Sequence, residues 1–396
     1  MNIKQVEDKC FMHTYKRGEL IVKKAKNQFV WDEKGVKYLD FMSGISVCNV
    51  GHCNNAVIKA MKVQLDKFVH VSNLYYAPAQ IRLGREIAKR AFPGAKVFFS
   101  NSGAEANECA IKLARKWGMQ NPSKKGSRYE IICFINSFHG RTMATISATG
   151  QKKFHEYLKP LQEGFVFAEI NNINSVEKLI NDKTVAVMIE PIQGESGVIP
   201  CDKMFLKELR NVCDKKNLLL IFDEIQCGVG RTGKFYAFEN YDVEPDIVTM
   251  AKSLANGFPL GATVGGKRCA ESFIYGDHGS TFGGNPVACA ASLAVLKIIN
   301  SKFLNNSVKI AKYFYEKLEI LKRKYKIIKE IRGLGLMIGV DLAVNGNNIV
   351  NYCLNRGLII NCTNNTVVRL LPPLTITKKD VDCAIKILDE ALAHVV

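Results

Sequence analysis

A single lysine at the end of an apolar, β-branched run could carry nucleophilic chemistry. Lys252 follows Ile247–Met250 and opens a loop that closes at Asn256–Pro259. Such a run is typical of a buried strand in a parallel sheet, and open α/β sheets bind ligands at the carboxyl ends of their strands. Partial burial disfavours the ammonium form, so the free amine would be available for Schiff-base formation. A solvated loop lysine is the alternative, and the surrounding residues must decide between the two.

Two carboxylates also follow apolar runs. Asp223 comes after Leu218–Phe222, and Glu190 comes after Val185–Ile189. A carboxylate in such a place is costly unless a cation meets it. Asp223 is suited to hold a proton on a pyridine nitrogen, which would make that ring an electron sink. Helix capping is the alternative for Asp223, and Glu190 is expected to be structural.

A helix start that could bind an anion follows Lys96–Phe99. Ser102 and Glu105 have the spacing of a capping box. Gly103 and Ala104 keep the first turn free of bulk, so that free N–H groups and the positive end of the helix dipole would face an anion. A plain helix cap has the same sequence pattern.

Aromatic and basic side chains follow the run Ile131–Phe134. Phe138 could stack on a planar ring, and Arg141 offers a planar fork that suits a carboxylate. His139 is compatible with either a structural or a functional role.

Further polar groups lie later in the chain. Gly279–Pro286 supplies hydroxyls and a flexible backbone, while Arg369 lies in the apolar stretch Val367–Pro373 and needs an anionic partner.

The elements that must position these residues form an α/β pattern. Strand-like and helix-like runs alternate from about residue 55 to 295, which predicts a mostly parallel sheet flanked by helices. Phe29–Asp40 predicts two short strands around a turn, Leu334–Asp341 predicts one strand, and the segments 302–324 and beyond Thr377 predict helices. We therefore expect an N-terminal arm (1–50) that joins a smaller α+β domain (299–396), and a large domain (51–298) between them.

Composition limits the classes of function. Of the 396 residues, 47% are hydrophobic and 23% charged, as in ordinary globular proteins. We find no apolar run of about twenty residues that could cross a bilayer and no signal peptide at the start, so a cytoplasmic location is expected.

The cysteines and the charge need separate explanations. Thirteen scattered cysteines without a C-x-x-C pair argue against a disulfide framework or a metal site. The net charge of +18 is spread along the chain without a nucleic-acid motif, so no nucleic-acid partner is expected. The charge would instead favour anionic metabolites by long-range steering.

Taken together, these stretches resemble the class III pyridoxal-phosphate aminotransferases over nearly the whole chain. The motifs that carry the resemblance are Asn101–Glu108, Phe138–Thr142, Glu190–Glu195, Phe222–Glu224 and the Lys252 loop. The resemblance implies fold type I of the pyridoxal-phosphate enzymes and a homodimer with shared active sites. It implies that Lys252 forms the Schiff base with pyridoxal 5'-phosphate and acts as the general base, and that Asp223 pairs with the ring nitrogen. The implied cofactor-binding residues are Ser102, Gly103, Ala104, Phe138, Asp223, Gln226, Lys252 and Thr281. The implied substrate-binding residues are Tyr15, Arg141, Glu195, Ser280 and Arg369.

The resemblance also implies a reaction. The terminal amino group of N2-acetylornithine would pass to 2-oxoglutarate, giving N-acetylglutamate 5-semialdehyde and glutamate, a step of arginine biosynthesis. Relatives that act on ornithine commonly carry a tyrosine where this chain has Ile45. Without that hydroxyl a free α-amino group loses a polar partner, which favours an acylated donor.

Other readings stay open. Ornithine, succinylornithine and succinyldiaminopimelate are alternative donors. An aminomutase of the same fold or a non-catalytic binding protein is a more distant alternative.

Overall fold

A computed structural model describes residues 2–395, which form strands and helices from the first segment to the last. The strands are β1 (Val22–Lys26), β2 (Phe29–Asp32), β3 (Lys37–Asp40), β4 (Lys96–Ser100), β5 (Glu130–Phe134), β6 (Phe165–Ala168), β7 (Thr184–Ile189), β8 (Ile192–Gln193), β9 (Ile199–Pro200), β10 (Leu219–Asp223), β11 (Ile247–Met250), β12 (Gly261–Gly265), β13 (Ile328–Leu334), β14 (Met337–Leu342), β15 (Leu358–Ile359), β16 (Asn361–Thr363) and β17 (Val367–Leu370). The α-helices are α1 (Ile3–Cys10), α2 (Ser43–Ser46), α3 (Asn55–Leu65), α4 (Pro78–Ala91), α5 (Gly103–Gln120), α6 (Met143–Ala148), α7 (Ile173–Glu177), α8 (Lys203–Lys215), α9 (Pro286–Ile298), α10 (Ser301–Lys324), α11 (Asn347–Asn355) and α12 (Lys378–Val395). Short 3₁₀ turns lie at Lys152–Phe154, Ala237–Asn240 and Lys252–Ala255.

The largest sheet has seven strands in the order β4-β12-β11-β10-β7-β5-β6. Adjacent strands are parallel except around β12, which runs antiparallel to both of its neighbours. The predicted α/β class with a mostly parallel sheet is therefore confirmed. Every apolar run predicted as a strand of this sheet is one, to within two residues at each end. The strands β6 and β12 were not predicted.

Both faces of this sheet are covered, as the uninterrupted apolar runs require. Along β10, Leu220 and Phe222 pack into the core on one face, and Leu219 and Ile221 pack into the core on the other. All six residues of β7 are buried. Loops at the carboxyl ends of these strands therefore start from a rigid edge.

A smaller unit is built from both ends of the chain. β13, β14, β17 and β16 form an antiparallel sheet, and β15 pairs with β3 of the N-terminal arm. Phe41 from the arm is in edge-to-face contact with Phe314 of α10 in a shared core. The smaller α+β domain is thus confirmed as a fold, as are the helices predicted over 302–324 and after Thr377.

The strand predicted over Leu334–Asp341 is confirmed from Met337 onward, but its predicted start is wrong. Leu334 ends β13 and Met337 begins β14, and the two strands form an antiparallel hairpin. Gly335 makes the reversal possible, because its φ of +61° is accessible to glycine at little cost. Apolar residues continue through the turn, so the hydrophobic pattern alone does not reveal it.

Among the described residues, no single helix is long and apolar enough to cross a membrane. Only α9 and α10 taken together pass on length and composition, and they meet at 70°. Most of α9 lies in the protein core. Eight of the thirteen cysteines are buried, as expected for thiols that act as small hydrophobic residues.

Candidate active site

The carboxyl ends of the central strands surround one cavity of about 400 Å³. Residues predicted separately from the sequence meet there. The lining includes Ser102, Gly103, Ala104, Phe138, Arg141, Glu190, Asp223, Gln226 and Lys252. These residues follow β4, β5, β7, β10 and β11, so the site spans most of the width of the sheet.

Lys252 enters this cavity from the end of β11. It is half-buried and has a φ of +45°, a conformation that costs a non-glycine residue free energy. Burial lowers the pKa of Lys252. The charge of Glu195 raises it, that of Arg369 lowers it, and those of Asp223 and Glu190 raise it by smaller amounts. The net pKa lies below the ordinary lysine value, which favours the nucleophilic free amine.

Asp223 is held in one orientation by three donors. It is 4% exposed, and its Oδ1 accepts a hydrogen bond from the backbone N–H of Ile225 at 3.1 Å. Its Oδ2 lies 2.8 Å from both Asn107 Nδ2 and His139 Nδ1. Thr249 fixes the Asn107 amide by donating to its Oδ1 at 2.8 Å. A buried carboxylate fixed in this way can pair with a cation that enters the cavity.

The first turn of α5 also lines the cavity. The predicted helix start is confirmed: Ser102 is the N-cap, and its hydroxyl accepts from Glu105 N at 3.2 Å. Glu105 reaches one residue further back than in a capping box and accepts from Asn101 N at 2.8 Å. The N–H groups of Gly103 and Ala104 precede the intrahelical bonds. A Cβ on Gly103 would lie 2.9 Å from the Ile225 side chain, so this turn has no space for one.

Phe138 and Arg141 lie on the side of the cavity formed by the loop after β5. Phe138 N donates to Glu190 Oε1 at 2.8 Å, which fixes the loop to the end of β7. The Phe138 ring meets Phe154 edge-on at 6.0 Å, and the Arg141 guanidinium lies 3.9 Å from the centre of the Phe154 ring. Arg141 is exposed and available to an anion. Glu190 thus binds the backbone of this loop. Burial and, second, the charge of Asp223 raise the pKa of Glu190 well above the ordinary carboxyl value.

An ion pair between Glu195 and Arg369 of β17 lies beside Gln226 of the cavity lining. Arg369 is 1% exposed, and its Nη1 lies 2.8 Å from Glu195 Oε1. Gln226 Nε2 donates to the same oxygen at 3.2 Å. Burial raises the pKa of Glu195, but the charge and hydrogen bond of Arg369 outweigh it, so the net pKa is lowered. Gly194 lies directly against the Gln226 amide, where a Cβ would clash.

Five of the predicted residues do not line the cavity in this chain. Two of them, Glu195 and Arg369, lie beside Gln226 of its lining, and the others are Tyr15, Ser280 and Thr281. Tyr15 is 74% exposed on the N-terminal arm. Ser280 lies beside the cavity, where its Oγ accepts from Asn101 Nδ2 at 3.2 Å. Thr281 is exposed and lines a different hollow together with residues 70–73. Among residues 2–395, no group of three His, Cys, Asp or Glu side chains could hold a metal ion.

Asn107 and His139 are site residues to which sequence reasoning assigned no role. Both lie in motifs that were recognised, but their contacts to Asp223 join positions 116 and 84 residues apart. Asn107 lies four residues after Gly103 on the same helix, so the two share a helical face. That spacing was the available signal.

Comparison with known proteins identifies the family. The family model "Aminotransferase class-III" matches residues 11–392. The chain is 47% identical to the acetylornithine aminotransferase of Methanocaldococcus jannaschii over 391 residues, 98% of each protein. The chain therefore belongs to the class III aminotransferases.

Solved structures agree with this assignment. The ornithine aminotransferase of Toxoplasma gondii superposes with a TM-score of 0.94 at 31% identity, covering 99% of this chain and 94% of that one. The N-acetylornithine aminotransferase of Stenotrophomonas maltophilia superposes with a TM-score of 0.84 at 34% identity, covering 97% and 98%.

Class III aminotransferases use pyridoxal phosphate, and the residues present fit that group. The bulk-free turn at Gly103 and Ala104 suits a phosphate at a helix N-terminus. Asp223 supplies a buried anion for a protonated ring nitrogen. Next to it, His139 Nε2 is buried and has no hydrogen-bond partner among the described residues. Lys252 supplies an amine of lowered pKa for the aldehyde.

Proposed function

We propose that the protein transfers the terminal amino group of N2-acetylornithine to 2-oxoglutarate, with pyridoxal phosphate as cofactor. The observation that carries the proposal is the meeting of Lys252 and Asp223 in one cavity behind a helix N-terminus. When bound, the cofactor supplies an aldehyde that takes up amino groups and a ring that accepts electrons from the substrate carbon.

The protein's own residues would then divide the work. Lys252 would hold the cofactor and take the proton from the amino-bearing carbon of the donor. Asp223 would keep the ring nitrogen protonated, since Asn107 and His139 fix its carboxylate in place. Gly103 and Ala104 would bind the phosphate, and Phe138 would stack on the ring.

The pair between Glu195 and Arg369 would allow one site to accept two different molecules. With Glu195 bound at 2.8 Å, Arg369 is neutralised and its side of the cavity suits an uncharged part of a donor. For 2-oxoglutarate, Glu195 would move away, so that Arg369 binds one carboxylate and Arg141 binds the other. For the donor, Arg141 would bind the α-carboxylate.

Acetylornithine is the donor that the relatives favour. The related acetylornithine aminotransferase is 47% identical, whereas the structurally similar ornithine aminotransferase is 31% identical. Ile45 is half-buried and packs against an apolar cluster, so it offers no hydroxyl to a free α-amino group. Ornithine remains the second candidate because of the close superposition with an enzyme of that name.

A homodimer with shared active sites completes the proposal. Leu74, Tyr75, Tyr76 and Phe282 are each at least 60% exposed, and large exposed apolar side chains mark interfaces. Asn73 joins the two segments by donating to Ser280 O at 2.8 Å. In a dimer formed through this surface, Thr281 would enter the partner's cavity and bind the phosphate there.

Absorbance and turnover test the proposed function. Purified protein should bind pyridoxal phosphate, and its visible absorbance should change when glutamate or acetylornithine is added alone. A donor panel with 2-oxoglutarate should then give the highest kcat/KM for acetylornithine. Lys252→Ala should lower kcat by at least about a thousandfold, because general base and nucleophile are lost together. Full turnover without 2-oxoglutarate would contradict the proposal.

A further inference from the structure

Arg231 is a fully buried arginine that does not line the cavity. Each of its guanidinium N–H groups is directed at an acceptor. Nε donates to Ser46 Oγ (2.9 Å), Nη1 to the carbonyls of Leu336 (2.9 Å) and Pro372 (2.6 Å), and Nη2 to Ser43 Oγ (3.4 Å) and to Asn49 Oδ1. None of these five acceptors is a carboxylate. Burial lowers the pKa of Arg231 to about 9 while the charge of Asp40 raises it, so the group stays charged at neutral pH.

The acceptors come from three separate parts of the fold. Arg231 follows β10 of the large sheet, whereas its partners lie in the turn 43–49, in the hairpin turn between β13 and β14, and just after β17. The hairpin is held in both directions, since Leu336 N donates to Arg231 O at 3.1 Å. A Cβ on Gly335 would lie 2.6 Å from Arg231 O, so this turn lies directly against the arginine backbone.

Two serine hydroxyls connect Arg231 to backbone groups near Gln226 and Arg369. Ser46 Oγ accepts from Arg231 and donates to the carbonyl of Gln226 at 2.9 Å. Ser43 Oγ accepts from Arg231 and donates to the carbonyl of Leu371 at 2.6 Å, two residues beyond Arg369. One serine hydroxyl therefore connects Arg231 to the backbone of Gln226, which contacts Glu195, and another connects it to the backbone of Leu371, which follows Arg369.

The turn itself needs such support. All four residues of α2 (Ser43–Ser46) have φ between +43° and +66°, so this single turn is left-handed rather than a regular α-helix. Backbone of this kind is costly for side-chain-bearing residues and persists only where surrounding contacts hold it. The next residue, Val47, lines the cavity.

We propose that Arg231 is a positioning residue that fixes Arg369 and the turn 43–49 relative to Lys252 and Asp223. The inference rests on the proposed function, in which Arg369 binds a carboxylate of 2-oxoglutarate and is neutralised during the donor half-reaction. Loss of the Arg231 hydrogen bonds should therefore weaken binding of 2-oxoglutarate more than binding of the donor. Lysine does not substitute, because a single ammonium cannot reach hydroxyls and carbonyls that lie on different sides of a planar fork.

The test compares KM values in Arg231→Lys and Ser43→Ala enzymes. In Arg231→Lys, KM for 2-oxoglutarate should rise about ten- to a hundredfold, the effect of misplacing a binding group by about 1 Å. Ser43→Ala removes only the hydroxyl that connects Arg231 to Leu371. It should raise KM for 2-oxoglutarate about threefold, the scale of one neutral hydrogen bond. In both, KM for acetylornithine should stay within about twofold, and the cofactor absorbance and its change with donor should match wild type.

Arg128→Lys is the matched control. Arg128 is also buried and also donates to backbone carbonyls, to Asn121 at 2.8 Å and Asn217 at 2.7 Å. Asn217 precedes β10, so this arginine lies at the opposite edge of the sheet, and both KM values should be unchanged. An equal rise of both KM values in Ser43→Ala, or a fall in kcat with the KM ratio unchanged, would overturn the inference. A wild-type enzyme without aminotransferase activity would instead overturn the proposed function.

Discussion

At the scale of single residues, the proposed function requires that the charge of Glu195 decide which molecule the site accepts. Glu195→Gln keeps the size of the side chain and an oxygen for Arg369, but removes the neutralising charge. Arg369 is then free to attract the carboxylate of glutamate. We expect kcat/KM for glutamate, relative to acetylornithine, to rise about tenfold or more, the scale of one charge-assisted hydrogen bond. Half-reaction kinetics measure this ratio.

The control for this substitution is Glu271→Gln. Glu271 also pairs with a basic side chain, Lys96, but both groups are largely exposed at the surface. Its replacement should leave the ratio unchanged. The same ratio in Glu195→Gln and wild type would refute the charge switch.

Lys252 allows a second residue-scale prediction. In cofactor-free protein its amine should become reactive at lower pH than surface lysines, because burial disfavours the ammonium. Glu195 raises the pKa of Lys252, so Glu195→Gln should move the midpoint lower still. Competitive acylation followed by mass spectrometry measures both, with surface lysines as internal standards. A midpoint equal to theirs would show that the cavity does not desolvate Lys252.

At the scale of elements, the first turn of α5 must stay free of side chains. Gly103→Ala would place a Cβ 2.9 Å from Ile225 and push the turn out of position. We expect cofactor affinity to fall about tenfold, equivalent to a modest overpacking cost. Ile225→Ala removes the obstructing atoms, so the double variant should regain affinity relative to Gly103→Ala. Spectroscopic titration with pyridoxal phosphate checks this, and equal affinity of the single and double variants would exclude a steric cause.

A pH-sensitive pair next to the turn 43–49 joins Asp40 of the arm to His52 just beyond it. Burial lowers the pKa of His52, but the hydrogen bond that its Nε2 donates to Asp40 Oδ2 at 2.7 Å, the hydrogen bond with Cys48 and the charges of both partners raise it to about 10. A raised histidine pKa stabilises the fold fully below about pH 6.5, and this contribution is lost as pH rises through about 10. Urea unfolding at pH 6 and pH 10 should show about 1.5–3 kcal/mol more loss in wild type than in His52→Gln. An equal loss of unfolding free energy in wild type and His52→Gln would contradict a stabilising role of this pair.

The sequence predicts individual strands and helices better than it predicts the tertiary contacts between them. The predicted runs that end at Phe99, Phe134, Ile189, Phe222 and Met250 are apolar and are followed within two residues by polar ones, so composition is enough to predict these strands. β12 is missed because Gly261–Gly265 is rich in small residues and gains its burial from neighbours on both sides. Contacts such as that between Asn107 and Asp223 depend on tertiary packing, which no local pattern encodes.

At the scale of the whole molecule, the proposed sharing of the site between two subunits would leave no periodic signal in one chain. Thr281 is exposed on its own subunit, and only the exposed apolar side chains around it point to a partner. The hydrogen bonds of Arg231 also leave no local sequence signal, since the five of them join positions up to 188 residues apart. Motifs identify such residues as candidates, and packing determines what they contact.

Shared sites predict complementation between two inactive chains. Lys252→Ala removes the amine, and Thr281→Glu would place a negative charge against the cofactor phosphate, so each homodimer should be nearly inactive. In a mixed dimer of shared sites, one cavity combines the intact Lys252 of one chain with the intact Thr281 of the other. Co-expressed, differently tagged chains purified through both tags should therefore recover about half of the wild-type activity per dimer. If Thr281 served its own chain, every cavity would carry one defect and no activity would return, which makes the mixed dimer decisive for where Thr281 acts.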